Sequence, residues 1–130
     1  RIKRYWSFPV ENTKIEINEA VEEFRRLFEK AIFNQLIADV PVGCFLSGGL
    51  DSSTVIAVAS KYKRNLKSFS FGFDDDNSEL NYAEQIANMY QTDHHILMAN
   101  NVNIGEMLVM MTRIYDEPFG DSSNIPTFLI

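Results

Sequence analysis

The segment VGCFLSGGLDSSTVIAVASKY, residues 42–62, decides how this chain folds. It begins with a short and nearly unbroken apolar run, which is typical of a strand buried on both faces of a parallel sheet. It ends with SSTVIAVASKY, which has the spacing of a compact helix. The junction carries two glycines, three serines and one aspartate, so it predicts a strand that leads through a small polar loop into a helix.

Two further segments predict strands. LKSFSFGF, 66–73, alternates and is rich in phenylalanine, and HHILMA, 94–99, is another short apolar run. Strands that alternate with helices indicate βαβ units and a parallel sheet. We therefore expect an α/β fold with three layers, α/β/α, in which ligands bind beyond the carboxyl ends of the parallel strands.

Helical patterns surround these strands. The first has Asn18 as its predicted N-cap and should end near Asp39, because Pro41 disfavours the helical conformation just before it. Another places its apolar residues on one face: Leu80, Ala83, Ile86, Ala87 and Tyr90. Asn103, with a glutamate three residues on, resembles a capping box, and SNIPTFLI, 123–130, predicts a last helix.

Composition limits the possible partners. The chain has 130 residues, 45% of them hydrophobic, and a net charge of -6. No apolar run approaches the roughly 20 residues that a membrane span needs, and the acidic charge argues against a nucleic-acid partner. One cysteine and no secretory segment favour the reducing cytoplasm. We expect an extended leading segment at 1–17 and, at 18–130, part of a domain from a longer protein.

The loop after the first strand has the features of an anion-binding site. A helix N-terminus presents N–H groups without helical acceptors, together with partial positive charge. Gly48 and Gly49 lack Cβ atoms, so an oxyanion can approach the backbone. Ser47, Ser52 and Ser53 can donate hydroxyl protons to phosphate oxygens. The alternative is a plain strand–turn–helix connection, with glycines for geometry and serines for capping.

Asp51 makes this loop more specific. A carboxylate that faces a polyphosphate is repelled unless a cation lies between them, so Asp51 predicts Mg²⁺. No lysine follows the glycines, which excludes the common G-x-x-x-x-G-K-[ST] phosphate loop. The spacing also differs from the G-x-G-x-x-G dinucleotide loop.

SGGLDS, 47–52, resembles the pyrophosphate loop S-G-G-x-D-S of ATP pyrophosphatases, which adenylate a substrate and release pyrophosphate. The longer DVPVGCFLSGGLDSS, 39–53, is similar to the glutamine-dependent asparagine synthetases. SFSFGF, YAEQIA, TDHHI and DEPFGDSSNIPTFL match that family in the same order, so the resemblance covers the chain from about Tyr5. It implies a fold like that of the adenine nucleotide alpha hydrolases.

The resemblance implies roles for individual residues. The ATP phosphates would be held by Ser47, Gly48, Gly49, Asp51, Ser52 and Ser53. Asp51 would bind Mg²⁺ and so serve catalysis. The main chain at Phe45 and Phe71 would hold adenosine, whereas the pattern alone makes both side chains core residues. Asp121 and Ser123 would bind substrate, and the alternative for them is a polar loop after a helix.

The implied reaction joins aspartate and ammonia at the expense of ATP. The aspartate β-carboxylate attacks the α-phosphorus, which gives β-aspartyl-AMP and pyrophosphate, and ammonia then displaces AMP. The parent would be a carbon–nitrogen ligase whose ammonia comes from a glutaminase domain. Neither that domain nor the family's second glycine-rich acidic loop occurs in these 130 residues, so we expect little turnover by the chain alone.

Two other functions stay open at this point. One is a related ligase that adenylates a different carboxylate or carbonyl acceptor, and the other is a nucleotide-binding or assembly module without catalysis. In either case a parallel sheet that lacks later strands exposes an apolar edge and face. We therefore expect the chain to associate with itself, as a dimer.

Several chemically suggestive residues have plainer interpretations. His94 and His95 are adjacent, so in a strand they point to opposite faces and cannot chelate one metal together. Cys44 is predicted to be a small core residue, not a nucleophile. The methionines at 107, 110 and 111 are predicted to fill the core. Asp74, Asp75 and Asp76 are expected to form a solvated turn, with a place near substrate or metal as the alternative. Asp116, Glu117 and Ser122 are expected to be polar loop residues where a helix ends at Pro118.

Overall fold

The computed structural model describes residues 1–8, 14–72, 78–99, 102–117, 120, 121 and 123–130. The described elements follow in the order α1 (Ile17–Gln35), β1 (Gly43–Phe45), α2 (Leu50–Tyr62), β2 (Lys67–Gly72), α3 (Ser78–Tyr90), β3 (Asp93–Met98), α4 (Ile104–Ile114) and α5 (Asn124–Leu129). This order confirms the predicted alternation. Residues 1–8 and 14–16 form no helix or strand, and the division of the chain at residue 17 stays a prediction. Within the described ranges, no helix combines the length and apolarity that crossing a membrane requires.

The three strands form one parallel sheet in the order β1-β2-β3. Phe45 of β1 lies beside Phe69 of β2, which lies beside His95 of β3. Because all three strands run in the same direction, their carboxyl ends meet at one edge, and the loop between β1 and α2 leaves the sheet there. The predicted α/β class with a parallel sheet is confirmed.

The main core lies between the sheet and the first three helices. It consists of Ile32, Leu46, Ile56, Ala59, Leu66, Ala83 and Ala87. Full burial of one aliphatic side chain stabilises a fold by roughly 1.5–3 kcal/mol, so this cluster fixes α2 and α3 on the sheet. The predicted apolar face of α3 is confirmed. A smaller cluster of Met107, Met111 and Ile125 joins α4 to α5.

The opposite face of the sheet is covered less completely. Cys44 points toward the main core, and Phe45 therefore points to the other face, where 56% of it is exposed. The prediction that the first strand is buried on both faces is wrong, because β1 lies at an edge of this sheet and α1 and α2 cover one side of it. For the same reason the core assignment of the Phe45 side chain is wrong. Phe71, in the next strand, is half-buried.

The predicted N-cap of α4 is confirmed, whereas the predicted start and the predicted end of α1 are both wrong. Asn103 caps α4, and its side chain accepts hydrogen bonds from two backbone N–H groups of the first turn. Glu16 is the N-cap residue of α1, and Asn18 lies inside the helix. The helix ends at Gln35, before Asp39. A following proline excludes helix only at the residue before it, so it sets an upper limit to the helix and not its end.

Candidate functional site

The loop between β1 and α2 requires glycine at Gly48. Its φ of +78° lies in the left-handed region that other residues rarely adopt. A Cβ atom there would also lie 2.7 Å from the carbonyl oxygen of Glu79 and 2.9 Å from the nitrogen of Ala83, both in α3. Gly49 differs, because its φ is -71° and, among the described residues, the contact of an added Cβ is with the Ser47 hydroxyl at 3.3 Å. The first turns of α3 thus press directly against the loop at Gly48.

Two serine hydroxyls hold the loop together. Ser52 Oγ accepts the backbone N–H of Ser47 at 3.2 Å and lies 3.0 Å from Ser47 Oγ. It also donates to the carbonyl oxygen of Gly49 at 3.2 Å. The N–H of Gly49 in turn donates to Ser47 Oγ at 3.3 Å. These predicted phosphate ligands therefore already stabilise the main chain of the loop.

Other donors of the loop are available to a ligand. α2 has no side-chain cap, although the N–H of Ser53 bonds to the carbonyl of Gly49 at 3.0 Å. Four backbone N–H groups donate to no acceptor among the residues that the structure describes: those of Gly48, Leu50, Asp51 and Ser52. N–H groups at a helix N-terminus carry partial positive charge and bind anions. The loop therefore has unpaired amide donors at a helix N-terminus, which is the arrangement that oxyanion sites use.

A cleft of about 280 Å³ opens beside the loop at the carboxyl edge of the sheet. Among the predicted site residues, it is lined by Phe45, Ser47, Phe71 and Ser123. Further lining comes mostly from apolar side chains: Leu46, Phe69, Leu80, Pro126 and Ile130. An apolar cleft with a few polar groups is typical of a small-molecule site. The other predicted residues of the loop lie outside this lining.

Asp121 and Ser123 are hydrogen-bonded to each other just before α5. One carboxylate oxygen of Asp121 accepts the Ser123 hydroxyl at 2.7 Å and the Ser123 N–H at 2.9 Å. These two hydrogen bonds, the hydroxyl one first, hold the pKa of Asp121 below its ordinary value. Ser123 reaches the cleft and Asp121 does not line it. Their predicted contact with substrate stays a prediction.

Asp51 lies in the first turn of α2 and is exposed. Among the described residues, no three His, Cys, Asp or Glu side chains are grouped so that they could hold a metal ion. Magnesium is commonly bound by one or two carboxylates together with substrate phosphates and water. An exposed carboxylate beside free amide donors fits that mode.

The remaining candidates behave mostly as their plainer interpretations predict. His94 contacts serines of β2, whereas His95 contacts Asp93, which confirms that the two rings point to opposite faces. Cys44 packs against the main core, and burial raises the pKa of its thiol, which disfavours the nucleophilic thiolate. Met107 and Met111 are buried as predicted. Met110 is exposed, so its assignment to the core is wrong.

Sequence reasoning missed two residues beside the loop. Ser70 is buried and donates its hydroxyl to the carbonyl of Leu46, and Glu79 lines the cleft. The sequence carried part of a signal for Ser70, because KSFSFG alternates and its serines must share one face; only the structure shows that the serine face is the buried one. Two serines on a buried face need partners. Asp74, Asp75, Asp76 and Ser122 lie outside the described residues.

Fold and loop together define an α/β protein with a glycine- and serine-rich loop between the first strand of a parallel sheet and the helix that follows it. Residues 23–130 match the family model described as asparagine synthase. The chain therefore belongs to the asparagine synthase family.

Named relatives agree with this assignment. The chain is 36% identical over 128 residues to the putative glutamine-hydrolyzing asparagine synthetase 2 of Methanocaldococcus jannaschii, which covers 97% of this chain and 25% of that protein. It is 29% identical to asparagine synthetase 1 of Bacillus subtilis, over 98% of this chain and 20% of that protein. It is 31% identical to the Bos taurus asparagine synthetase, over 78% of this chain and 19% of that protein. The chain thus spans about a fifth to a quarter of the length of these curated relatives.

Proposed function

We propose that this chain is the ATP-binding part of a glutamine-hydrolysing asparagine synthetase domain. One observation carries the proposal: the N–H groups of Gly48, Leu50 and Asp51 have no acceptor among the described residues, and Ser47 of the same loop lines an apolar cleft together with Phe45 and Phe71. A polyphosphate needs an array of positive donors, and a purine base needs a flat apolar slot. The two features side by side fit the two ends of ATP. Family membership supports the same assignment.

In this proposal the loop binds the phosphates and the strand ends bind the nucleoside. The phosphate ligands are the N–H groups of residues 48 and 50–52 and the hydroxyls of Ser47, Ser52 and Ser53. The main chain at Phe45 and Phe71 contacts adenosine, because both residues line the cleft. Asp51 holds Mg²⁺, which shields the phosphate charge. Ser123 is better placed than Asp121 to contact the second substrate.

The chemistry asks little of side-chain nucleophiles. A carboxylate oxygen of aspartate bonds to the α-phosphorus while the bond to pyrophosphate breaks, and ammonia then attacks the activated carbonyl carbon and releases AMP. Such phosphorus transfer depends on positioning and on donors aimed at developing charge. A hydrogen-bonded loop whose amide donors lack acceptors in the described part of the chain is suited to supply both. Cys44 takes no part, in keeping with its raised pKa and its contact with the core.

Asp51→Asn tests the proposal against a matched control. The variant removes one charge from the first turn of α2, and Glu106→Gln removes one from the first turn of α4, away from the loop. We expect Asp51→Asn to weaken ATP binding at least about tenfold with Mg²⁺, yet not in EDTA, because without the cation the carboxylate repels the phosphates. Isothermal titration calorimetry measures both constants. Equal weakening in Mg²⁺ and EDTA, or an equal effect of Glu106→Gln, contradicts the assignment.

The complete reaction is expected to need more than these residues. The named relatives are several times longer than this chain, and ammonia would reach the site from a glutaminase domain. We therefore propose that the chain binds ATP but catalyses little exchange of pyrophosphate into ATP. Measurable exchange by the purified chain would refute the second part. Its single cysteine fits a location in the reducing cytoplasm.

Self-association is proposed on the basis of exposed apolar side chains. Ile17, Val21 and Phe24 recur at helical spacing on α1, and all three are exposed. An apolar stripe of this kind favours association. We expect a dimer by static light scattering, and expect Phe24→Glu to shift it toward monomer while Glu23→Gln does not. A wild-type monomer across the whole concentration range contradicts this.

A further inference from the structure

A buried serine of the second strand is bonded to the residue that begins the loop. Ser70 is 2% exposed, and its hydroxyl donates to the carbonyl oxygen of Leu46, which is itself 1% exposed. The N–H of Leu46 donates to the carbonyl of Phe69 at 2.8 Å. Residues of β2 therefore bond to both the carbonyl and the N–H of Leu46, immediately before the chain leaves the sheet.

The bond from Ser70 also determines where the first amide of the loop points. The carbonyl of Leu46 and the N–H of Ser47 belong to one planar trans peptide, so fixing the oxygen fixes the direction of the N–H. That N–H donates to Ser52 Oγ, which in turn contacts Ser47 Oγ and the carbonyl of Gly49. One rigid plane thus joins Ser70 in the sheet to the hydroxyl cluster of the loop.

The hydrogen bonds around Ser70 agree with donation of its hydroxyl proton to the carbonyl of Leu46. His94 Nε2 lies 3.4 Å from Ser70 Oγ, and His94 Nδ1 lies 2.9 Å from Ser68 Oγ. Ser68 Oγ lies 2.7 Å from the Thr92 hydroxyl. With Ser70 donating to Leu46, His94 donates from Nε2 and accepts at Nδ1 from Ser68, so every member of this chain has a partner.

We propose that Ser70 is a positioning residue for the phosphate site: its hydroxyl orients the Leu46–Ser47 peptide and so preorganises the loop. The inference rests on the proposed function of the loop. It assigns part of the loop's affinity for phosphate to a residue that does not touch the ligand. Preorganised donors bind more tightly because little ordering remains to be done when the ligand arrives.

Ser70→Ala and Ser68→Ala form a matched pair of tests. Both remove one buried hydroxyl from the same face of β2, yet only Ser70 contacts Leu46. We expect the Ser70 variant to raise the exchange rate of the Ser47 amide proton about fivefold, the value of one lost hydrogen bond, with no such rise in the Ser68 variant. We expect the dissociation constant for inorganic pyrophosphate with Mg²⁺ to rise by a similar factor in Ser70→Ala alone.

The two readouts separate the two proposals. Exchange at Ser47 needs no ligand, so an unchanged rate in Ser70→Ala overturns the positioning role whatever the loop binds. Equal effects of both variants, in step with equal losses of stability in urea, also overturn it, because they indicate general loosening of the strand. Absence of pyrophosphate binding by the wild type overturns the function proposed for the loop, and the exchange measurement still decides whether Ser70 orients it.

Discussion

The polar groups at the two ends of the parallel sheet differ in whether they have partners within the protein. At the amino ends, Lys67 Nζ lies 2.7 Å from Asp93 Oδ2, and His95 Nε2 lies 3.2 Å from Asp93 Oδ1. At the carboxyl ends, N–H groups of Gly48 and Leu50 have no acceptor in the described part of the chain. The first set is closed on itself, whereas the second has capacity left for a ligand.

This difference shows that residue type alone is a poor guide to a site. Lysine, aspartate and histidine look more reactive than a loop of glycines and serines. Their charges and protons are nevertheless directed at one another, and the hydrogen bonds from Lys67 and then His95 hold the pKa of Asp93 below its ordinary value. What marks the carboxyl end is backbone geometry, which glycine permits and a helix N-terminus makes positive.

The largest expected effect is at Gly48. Gly48→Ala would place a methyl group 2.7 Å from a carbonyl oxygen at a φ of +78°. A strained backbone residue of this kind costs about 1–3 kcal/mol, so we expect the free energy of unfolding in urea to fall by at least that amount. Gly49→Ala, at a φ of -71°, should cost far less. Equal losses in the two variants would contradict the geometry of the loop.

A smaller effect of opposite sign is expected at the amino end. Gln91 has a φ of +53°, and the hydrogen bonds Thr92 N to Ala87 O and Gln91 N to Asn88 O form a Schellman motif that ends α3. Gln91→Gly removes the left-handed strain and should stabilise the chain by about 1 kcal/mol or less. Gln85→Gly, inside the same helix, is the control and should destabilise. Destabilisation by Gln91→Gly would contradict the motif.

The smallest effect is expected from removing Lys67 from its group with Asp93 and His95 at the amino end of the sheet. The pKa of Asp93 is lower folded than unfolded, so its contribution to stability is present above the unfolded pKa and is lost as the pH falls through the folded one. Lys67→Met should raise the pKa of Asp93, measured by NMR titration of its carboxyl carbon, and leave ATP affinity unchanged. Lys61→Met, another exposed lysine, should not move that pKa. A loss of ATP affinity in Lys67→Met would show that the two ends of the sheet are not independent.

Much of the fold followed from local pattern. The alternation around 42–62 predicted the strand, the loop and the helix, and LKSFSFGF and HHILMA predicted the remaining strands to within one residue of their observed ends. Asn103 capped its helix because capping depends on a few neighbouring residues. The loop could be proposed as an anion site for the same reason, since glycines, hydroxyls and a helix start are adjacent in the chain.

The features that the sequence analysis did not predict depend on contacts between residues distant in sequence. The exposure of Phe45 follows from the position of β1 at the edge of the sheet, and periodicity does not report which strand lies beside which. The bond from Ser70 to Leu46 joins residues 24 positions apart. The cleft needs α5 to reach the strand ends, and a helix pattern gives no direction of packing. In each case the side chain's partner, and not its own type, decided its role.

The central claim is that the amides of the loop receive the pyrophosphate of ATP. The most direct measurement is an NMR titration of the ¹⁵N-labelled chain with ATP and Mg²⁺, followed at each backbone amide. We predict saturable shifts concentrated at Gly48, Leu50, Asp51 and Ser52, with Lys67 and Asp93 unmoved. Shifts confined to the amino end of the sheet, or no saturable shift in the loop, would contradict the account.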